Sequence, residues 1–171
     1  MNMKTSFNFL EPGKLVDTDL ELVLVNKTAQ NPVKGHVPGY EFEMRLSGST
    51  TVMGSIRLRI GSAISLRYPG HVGYEVKEKF RGNHYAARSC KLLLPLAHAH
   101  GLKALWLTVD PGNIPSIKTC EHLRARYIET IPVPEEHPMH DDGARYRRRY
   151  RLDIALRLLG NSGTNRRVQR K

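Results

Sequence analysis

The sequence predicts an α/β protein of the α+β type, with a mixed, mostly antiparallel central sheet and a strand-helix-strand core. Three observations carry this. Tyr40, Phe42, Met44 and Leu46 alternate with Glu41, Glu43 and Arg45, and Val52, Gly54, Ile56, Leu58 and Ile60 alternate with Met53, Ser55, Arg57 and Arg59. A period of two is that of half-buried antiparallel strands. From Asn83 to His100 the period changes: Ala86, Cys90, Leu93, Leu94 and Ala97 recur at helical spacing. Directly after it, Leu102 to Val109 is strongly apolar and suits a buried strand.

The remaining elements follow from their borders. Leu20 to Val25 reads as a strand with little outside face. The turn-rich stretch from Leu46 to Thr51 joins the two alternating runs as a hairpin. His71 to Val76 is a further strand after the Tyr68-Pro69-Gly70 turn, and Gly101 ends the long helix as a C-terminal cap residue. Asp110-Pro111-Gly112-Asn113 breaks the apolar strand, and Ile114 to Leu123 suits a short helix. Tyr127 to Val133 and Tyr146 to Ile154 read as two last strands around the polar loop Pro134 to Ala144. No repeat or linker divides residues 1–155, which are expected to form one domain. The basic stretch 156–171 has few partners for burial and is expected to be disordered.

The charge is uneven. The formal net charge is +11, but ten of the 27 Lys and Arg fall between Arg145 and Lys171, against a single acid, Asp153. The body is nearly neutral, so the basic end suggests a weak contact with a polyanion and not the main task of the fold. No stretch approaches the roughly 20 apolar residues of a membrane span. Met1 to Leu10 lacks the apolar run of a signal peptide, which leads to the expectation of a cytoplasmic protein without membrane contact. Cys90 and Cys120 read as buried small hydrophobes. The loop His137-Pro138-Met139-His140-Asp141-Asp142 has metal-ligand residue types but no second well-spaced ligand pair, so no metal is expected.

The informative junction lies between Val76 and Ala87. A strand ends, a polar turn follows, and a helix begins at Arg81-Gly82-Asn83-His84-Tyr85-Ala86. A helix N-terminus carries unpaired N–H groups and a partial positive charge, and therefore binds anions. The run Val76-Lys77-Glu78-Lys79-Phe80-Arg81-Gly82-Asn83-His84-Tyr85-Ala86 resembles the acyl-CoA-binding motif of the GNAT N-acetyltransferases, Gln/Arg-x-x-Gly-x-Gly/Ala after a strand end. Asn113 and Ser116 also sit where that family places an Asn and a Ser, and Cys120-Glu121-His122-Leu123 resembles its Glu-Lys-Leu-Gly-Phe box. The similarity covers residues 72 to 130. Three positions depart from it. His84 and Arg124 stand at glycine positions, and no tyrosine follows Asn113 closely. The His84 position is expected to have φ below zero, as in a first helical turn, so that glycine there would supply room and not dihedral freedom.

The resemblance implies acyl transfer from acetyl-CoA to the amine of a small molecule or peptide. It implies that the loop from Arg81 through Gly82, Asn83, His84 and Tyr85 to Ala86 holds the pyrophosphate. The backbone from Val76 through Lys77 to Glu78 would pair with the pantetheine arm, and the Val76 N–H would face the oxyanion. Asn113 and Ser116 complete the implied cofactor set. An ammonium with a pKa near 10 must lose a proton before it attacks, and Glu75 on the entering strand is the candidate base. Tyr74 is the candidate acid, with water as the alternative. By alternation Glu75 shares a face with His71 and Gly73, opposite Val72, Tyr74 and Val76.

Two rival readings remain at this point. One is a polyanion-binding protein, for which Arg145, Arg147, Arg148, Arg149 and Arg151 speak. On a strand, Arg147, Arg149 and Arg151 would share a solvated face, with Tyr146, Tyr150, Leu152 and Ile154 toward the core. The other is an acyl-CoA-binding domain without catalysis. The acceptor is unnamed by the sequence. The interval from Asn26 to Gly39 is polar, holds Pro32 and Pro38, and shows no helical period. The acceptor wall is therefore short, irregular or supplied by a second chain in a homodimer.

Overall fold

The computed structural model describes residues 6–155, and the basic stretch 156–171 lies outside them. Five strands come first: β1 (Leu15–Asp17), β2 (Leu20–Thr28), β3 (Gly39–Leu46), β4 (Val52–Arg59) and β5 (Val72–Val76). Then follow α1 (Tyr85–Ala99), β6 (Ala104–Val109), α2 (Ile114–His122), β7 (Arg126–Pro132), the short α3 (Pro138–Asp141) and β8 (Tyr146–Asp153). The strands form a five-stranded antiparallel sheet in chain order and a three-stranded sheet ordered β6-β8-β7. Both hairpin strands and both helices appear where the hydrophobic periods predict them. The strand β1 is an addition to that reading, and so is α3 within the polar loop. Among the described residues no helix is long and apolar enough to cross a membrane.

The inner face of the large sheet is built from cross-strand rows. Phe42, Ile56 and Tyr74 lie side by side on β3, β4 and β5. Leu22, Met44, Gly54 and Val76 form the next row. Against these rows α1 buries Cys90, Leu93, Leu94, Leu96 and Ala97, each fully buried Leu contributing about 1.5–3 kcal/mol. Met53 departs from the alternating pattern. Sequence periodicity points it outward, yet it is fully buried, because a bulge in the β3–β4 ladder shifts the register between Met44 and Arg45. The outer face carries the expected polar set, including the ion pairs Arg57–Glu41 and Arg45–Glu43. Between β2 and β3 the chain makes only a 3₁₀ turn at Pro32–Lys34, so no helix of that segment covers this face.

The tight turn between β1 and β2 is tied to α1. Arg88 donates to the Asp17 and Asp19 carboxylates, each at 2.7 Å, and to the Asp17 carbonyl at 2.6 Å. The Tyr85 hydroxyl donates to Asp19 at 2.5 Å. These two bonds, the Tyr85 one foremost, hold the Asp19 carboxyl down at about 2. The contact fixes the start of α1 relative to the sheet, which bears directly on the loop before it.

The two sheets meet at one point. The His71 N–H donates to the Trp106 carbonyl at 2.8 Å, and the Trp106 N–H donates to His71 Nδ1 at 3.0 Å. Gly70 makes this approach feasible. Its φ is +69°, and a Cβ there would lie 2.8 Å from the Trp106 carbonyl oxygen. Past this tie β5 and β6 share no ladder. The central sheet expected from the strand order is thus divided, and the gap between its halves is the cleft described below.

The C-terminal strand corrects a second expectation. Arg149 is buried rather than solvated. It pairs with Glu129, and its guanidinium lies 4.3 Å from the Trp106 ring centroid. Arg148, on the opposite face, lies over Tyr127 and Tyr150, while Tyr146 is exposed and not part of the core. Arginines that stack on rings and bond inward are components of the fold, which removes much of the support for a polyanion surface on this strand.

Candidate functional site

A cleft of about 370 Å³ opens between β5 and β6 beyond the His71–Trp106 tie. Val72, Gly73 and Tyr74 line one wall, and Leu107, Thr108 and Val109 line the other. Asp110, Asn113 and Ser116 stand at the end of the β6 wall, and Arg59, Met139 and Arg147 complete the lining.

The ladder geometry decides which backbone groups face this cleft. Lys77 donates its N–H to the Met53 carbonyl at 2.9 Å, and Arg59 donates to the His71 carbonyl at 2.7 Å. These are the hydrogen-bonded pairs of the β4–β5 ladder. With the register Gly54 to Val76 and Ile56 to Tyr74, Val72, Tyr74 and Val76 direct their N–H and C=O groups away from β4. The Val76 N–H is therefore available to a ligand. Beyond Val76 the chain leaves the extended ladder. Lys77 is already bonded to β4, and Glu78–Phe80 turns into a 3₁₀ helix in which Arg81 donates its N–H to the Glu78 carbonyl.

The loop after this turn begins α1. Arg81, Gly82, Asn83 and His84 are exposed, whereas Tyr85 and Ala86 are buried. Gly82 has φ +89°. Arg81 folds back, and its Nε donates to the Val76 carbonyl at 3.1 Å. Asn83 Nδ2 donates to the Phe80 carbonyl at 3.1 Å. Tyr85 points into the Asp19 contact, so only its backbone can serve an anion here. His84 overturns an expectation. Its φ is +57°, in the left-handed region, so a glycine at this position would supply dihedral freedom as well as room. It makes no side-chain capping bond, which leaves the first-turn N–H groups without that partner. Its ring instead stacks on His122 at 4.0 Å. Partial burial, the like charge of His84 and that of Lys91 hold the His122 pKa below its ordinary value. Arg124, the other departure from glycine, is likewise left-handed at φ +52°.

Asn113 caps α2: its Oδ1 accepts the Ser116 N–H at 3.1 Å. Tyr74 lies across from that helix. Burial pushes its hydroxyl up to about 12, with bonds to Ser116 and Thr119 opposing the shift. Such a phenol stays protonated and can donate a hydrogen bond. Full proton transfer to a thiolate, whose acid has a pKa near 8.5, would run uphill. Glu75 is exposed at the end of β5, one residue beyond the cleft-lining Tyr74. It is opposite Ser55 in the ladder.

The sequence reading did not assign the three charged lining residues, Asp110, Arg59 and Arg147, to this site. Asp110 was legible only as part of a strand-breaking turn, and its Oδ1 accepts the Gly112 N–H at 2.8 Å. Arg59 lies near the end of an alternating run, and Arg147 lies within a basic one. Cys90 and Cys120 are free and buried. Burial raises both thiols, that of Cys120 to about 12, so neither is a ready thiolate. The His137 side chain accepts the Met139 N–H at 3.2 Å as the cap of α3.

The sequence profile of the acetyltransferase (GNAT) domain matches residues 20–126. No curated protein matches the sequence. Among solved structures, a ribosomal-protein-serine acetyltransferase candidate from Vibrio cholerae superposes with a TM-score of 0.60 at 15% identity, covering 84% of this chain and 99% of that one. The ribosomal L7/L12 alpha-N-protein acetyltransferase in complex with coenzyme A gives 0.59 at 12% identity, with 82% and 98% covered. A GNAT-family acetyltransferase from Bacillus anthracis gives 0.53 at 18% identity, with 67% and 66% covered. At these identities the structural likeness is one of fold.

Proposed function

Since the chain belongs to the GNAT acetyltransferase family, we propose that it moves an acetyl group from acetyl-CoA to a primary amine by direct attack in a ternary complex. The observation that carries this reading is the cleft along β5, whose strand ends at Val76 with its N–H directed away from β4 and is joined by the short turn and loop of residues 77–84 to the start of α1. That arrangement would put the anionic groups of the ligand at the helix start and its thioester at the Val76 N–H.

The residues divide the work along this line. The N–H groups at the start of α1 and the Arg81 guanidinium hold the pyrophosphate, once Arg81 releases the Val76 carbonyl. The Val76 N–H donates to the oxygen that gains negative charge as the amine attacks. Asn113 keeps α2 in place, and Ser116 holds Tyr74 over the cleft. Tyr74 donates a hydrogen bond to the sulfur, and water supplies the proton. Bound acetyl-CoA provides the activated acyl group. The new N–C bond forms as the C–S bond breaks.

Glu75 takes the ammonium proton through a water molecule. Its carboxylate has no partner among the described residues, whereas the Asp110 carboxylate is engaged with the Gly112 N–H and lies near Arg147. Asp110 lies inside the cleft, however, and is the second candidate base. Direct attack suits a chain whose two cysteines, Cys90 and Cys120, are buried away from the cleft lining, with burial raising both thiols. The reading is tested by thiol release from acetyl-CoA with a panel of amines. Amine-dependent thiol release, with acetyl-amine found by mass spectrometry, is expected. Acetyl-CoA binding without turnover of any amine would leave a binding domain instead.

A further inference from the structure

Arg59 and Arg147 approach the cleft from opposite sheets, at the end remote from the α1 loop. The Arg59 guanidinium lies across Gly73: a Cβ there would be 3.5 Å from one terminal nitrogen and 3.6 Å from the other. Among the described residues its only hydrogen bond is a long one, 3.4 Å, to the Gly70 carbonyl. Arg147 donates to the Thr108 carbonyl at 2.8 Å, more weakly to Thr108 Oγ1 at 3.4 Å, and its buried Nε has no partner among the described residues. Both side chains line the cleft.

Their neighbours behave differently. Arg57, Arg149 and Arg151 each pair with a carboxylate. Arg59 and Arg147 enter no ion pair among the described residues. Burial lowers the pKa of both guanidinium groups, with Arg57 adding repulsion at Arg59. Glu41 is the acid near Arg59 and is already paired with Arg57, and Asp110 is the acid near Arg147 and holds Gly112. Two half-buried cations without counter-ions, facing one cavity, are costly unless an anion joins them.

We propose that the acceptor is a small amine bearing a carboxylate, and that Arg59 and Arg147 hold this carboxylate. The inference rests on the acetyltransferase reading. Gly73, under the Arg59 guanidinium, precedes Val76 by three residues, roughly 10 Å along a strand. With the thioester at the Val76 N–H, an amino group and a carboxylate separated by a few carbons fit that interval. A polyamine would bring further positive charge to the two arginines. A protein N-terminus carries no carboxylate at the required place unless an acidic side chain supplies it.

The test compares matched acceptors by thiol release: glycine, β-alanine, 4-aminobutyrate and glutamate against their methyl esters, with spermidine and phosphoethanolamine alongside. The wild-type protein is expected to show kcat/KM at least 10-fold higher for one or more of the acids than for the matching ester. Arg59→Gln and Arg147→Gln are each expected to reduce that preference 10-fold or more, lowering the rate with the acids far more than the rate with the esters. The comparison within the wild type stands even if one variant fails to fold. Esters or spermidine used as well as the acids, or acetyl-CoA bound with no carboxylate acceptor turned over, would overturn the proposal alone. A preference for phosphoethanolamine would also overturn it, since the anion recognised is then a phosphate. Failure to bind acetyl-CoA would overturn the acetyltransferase reading itself.

Discussion

Glu75→Gln is expected to lower turnover by roughly 10²–10⁴ at neutral pH, the usual weight of general-base catalysis. The change keeps shape and hydrogen-bonding capacity and removes the base. The site is exposed, so the melting temperature is expected to stay near that of the wild type. Acetyl-CoA affinity is also expected to hold, because the pyrophosphate lies at the start of α1. The loss should shrink as pH rises toward the acceptor's own pKa, since more amine then arrives neutral. A structural carboxylate would slow the reaction equally at every pH. Asp110→Asn serves as the comparison. If it, and not Glu75→Gln, gives the pH-rescued loss, the base is inside the cleft at Asp110. The rates are compared at saturating acceptor, with chemistry shown to limit turnover.

Gly54→Ala is expected to impair both stability and catalysis. A Cβ at Gly54 would lie 2.2 Å from the Glu75 carbonyl oxygen and 3.0 Å from the Val76 Cα. Both are backbone atoms, so no side chain can turn aside and β5 must move off β4. Overpacking of this kind costs about 1–3 kcal/mol. The displaced segment carries the Val76 N–H and the Glu75 side chain, and a misplacement of about 1 Å can cost on the order of 10² in rate. Thermal melting and kcat/KM measure the two effects separately. A variant with unchanged melting temperature and unchanged activity would mean that the close packing of β4 on β5 does not position the site.

The fold was legible wherever a period recorded burial. The alternations through Phe42 and Ile56 mark the inner face of the sheet, and the spacing of Cys90, Leu93, Leu94 and Ala97 marks the face of α1. What escaped depends on interactions between elements. Met53 reaches the core through a bulge, which a regular alternation cannot encode. His84 adopts a left-handed conformation that its residue type does not announce, set by the turn from β5 into α1. The three arginines read as one solvated face have different surroundings, because β8 lies between β6 and β7. Arg149 gains Glu129 and Trp106, while Arg147 reaches the cleft.

The candidate site divides along the same line. The junction from Val76 to Ala86 is contiguous in the chain, so its sequence shows a strand end, a turn and a helix start together. Asn113 likewise sits in one contiguous strand-turn-helix stretch, where it caps α2. Arg59, Asp110 and Arg147 come from three separate strand ends. They converge only because the His71–Trp106 tie joins the sheets at one point and leaves a cleft beyond it. No local spacing in the sequence contains that tie.

The most direct test of the central claim is a calorimetric titration of the protein with acetyl-CoA and, in parallel, with acetyl-pantetheine, which keeps the thioester and lacks the phosphates. If the start of α1 and Arg81 hold the pyrophosphate beside the Val76 strand end, acetyl-CoA is expected to saturate a single site. Acetyl-pantetheine should then bind far more weakly, and Arg81→Ala should weaken acetyl-CoA alone. No measurable heat from a folded sample at millimolar acetyl-CoA, or equal affinity for the two thioesters, would contradict the assignment of this loop and cleft to acetyl-CoA.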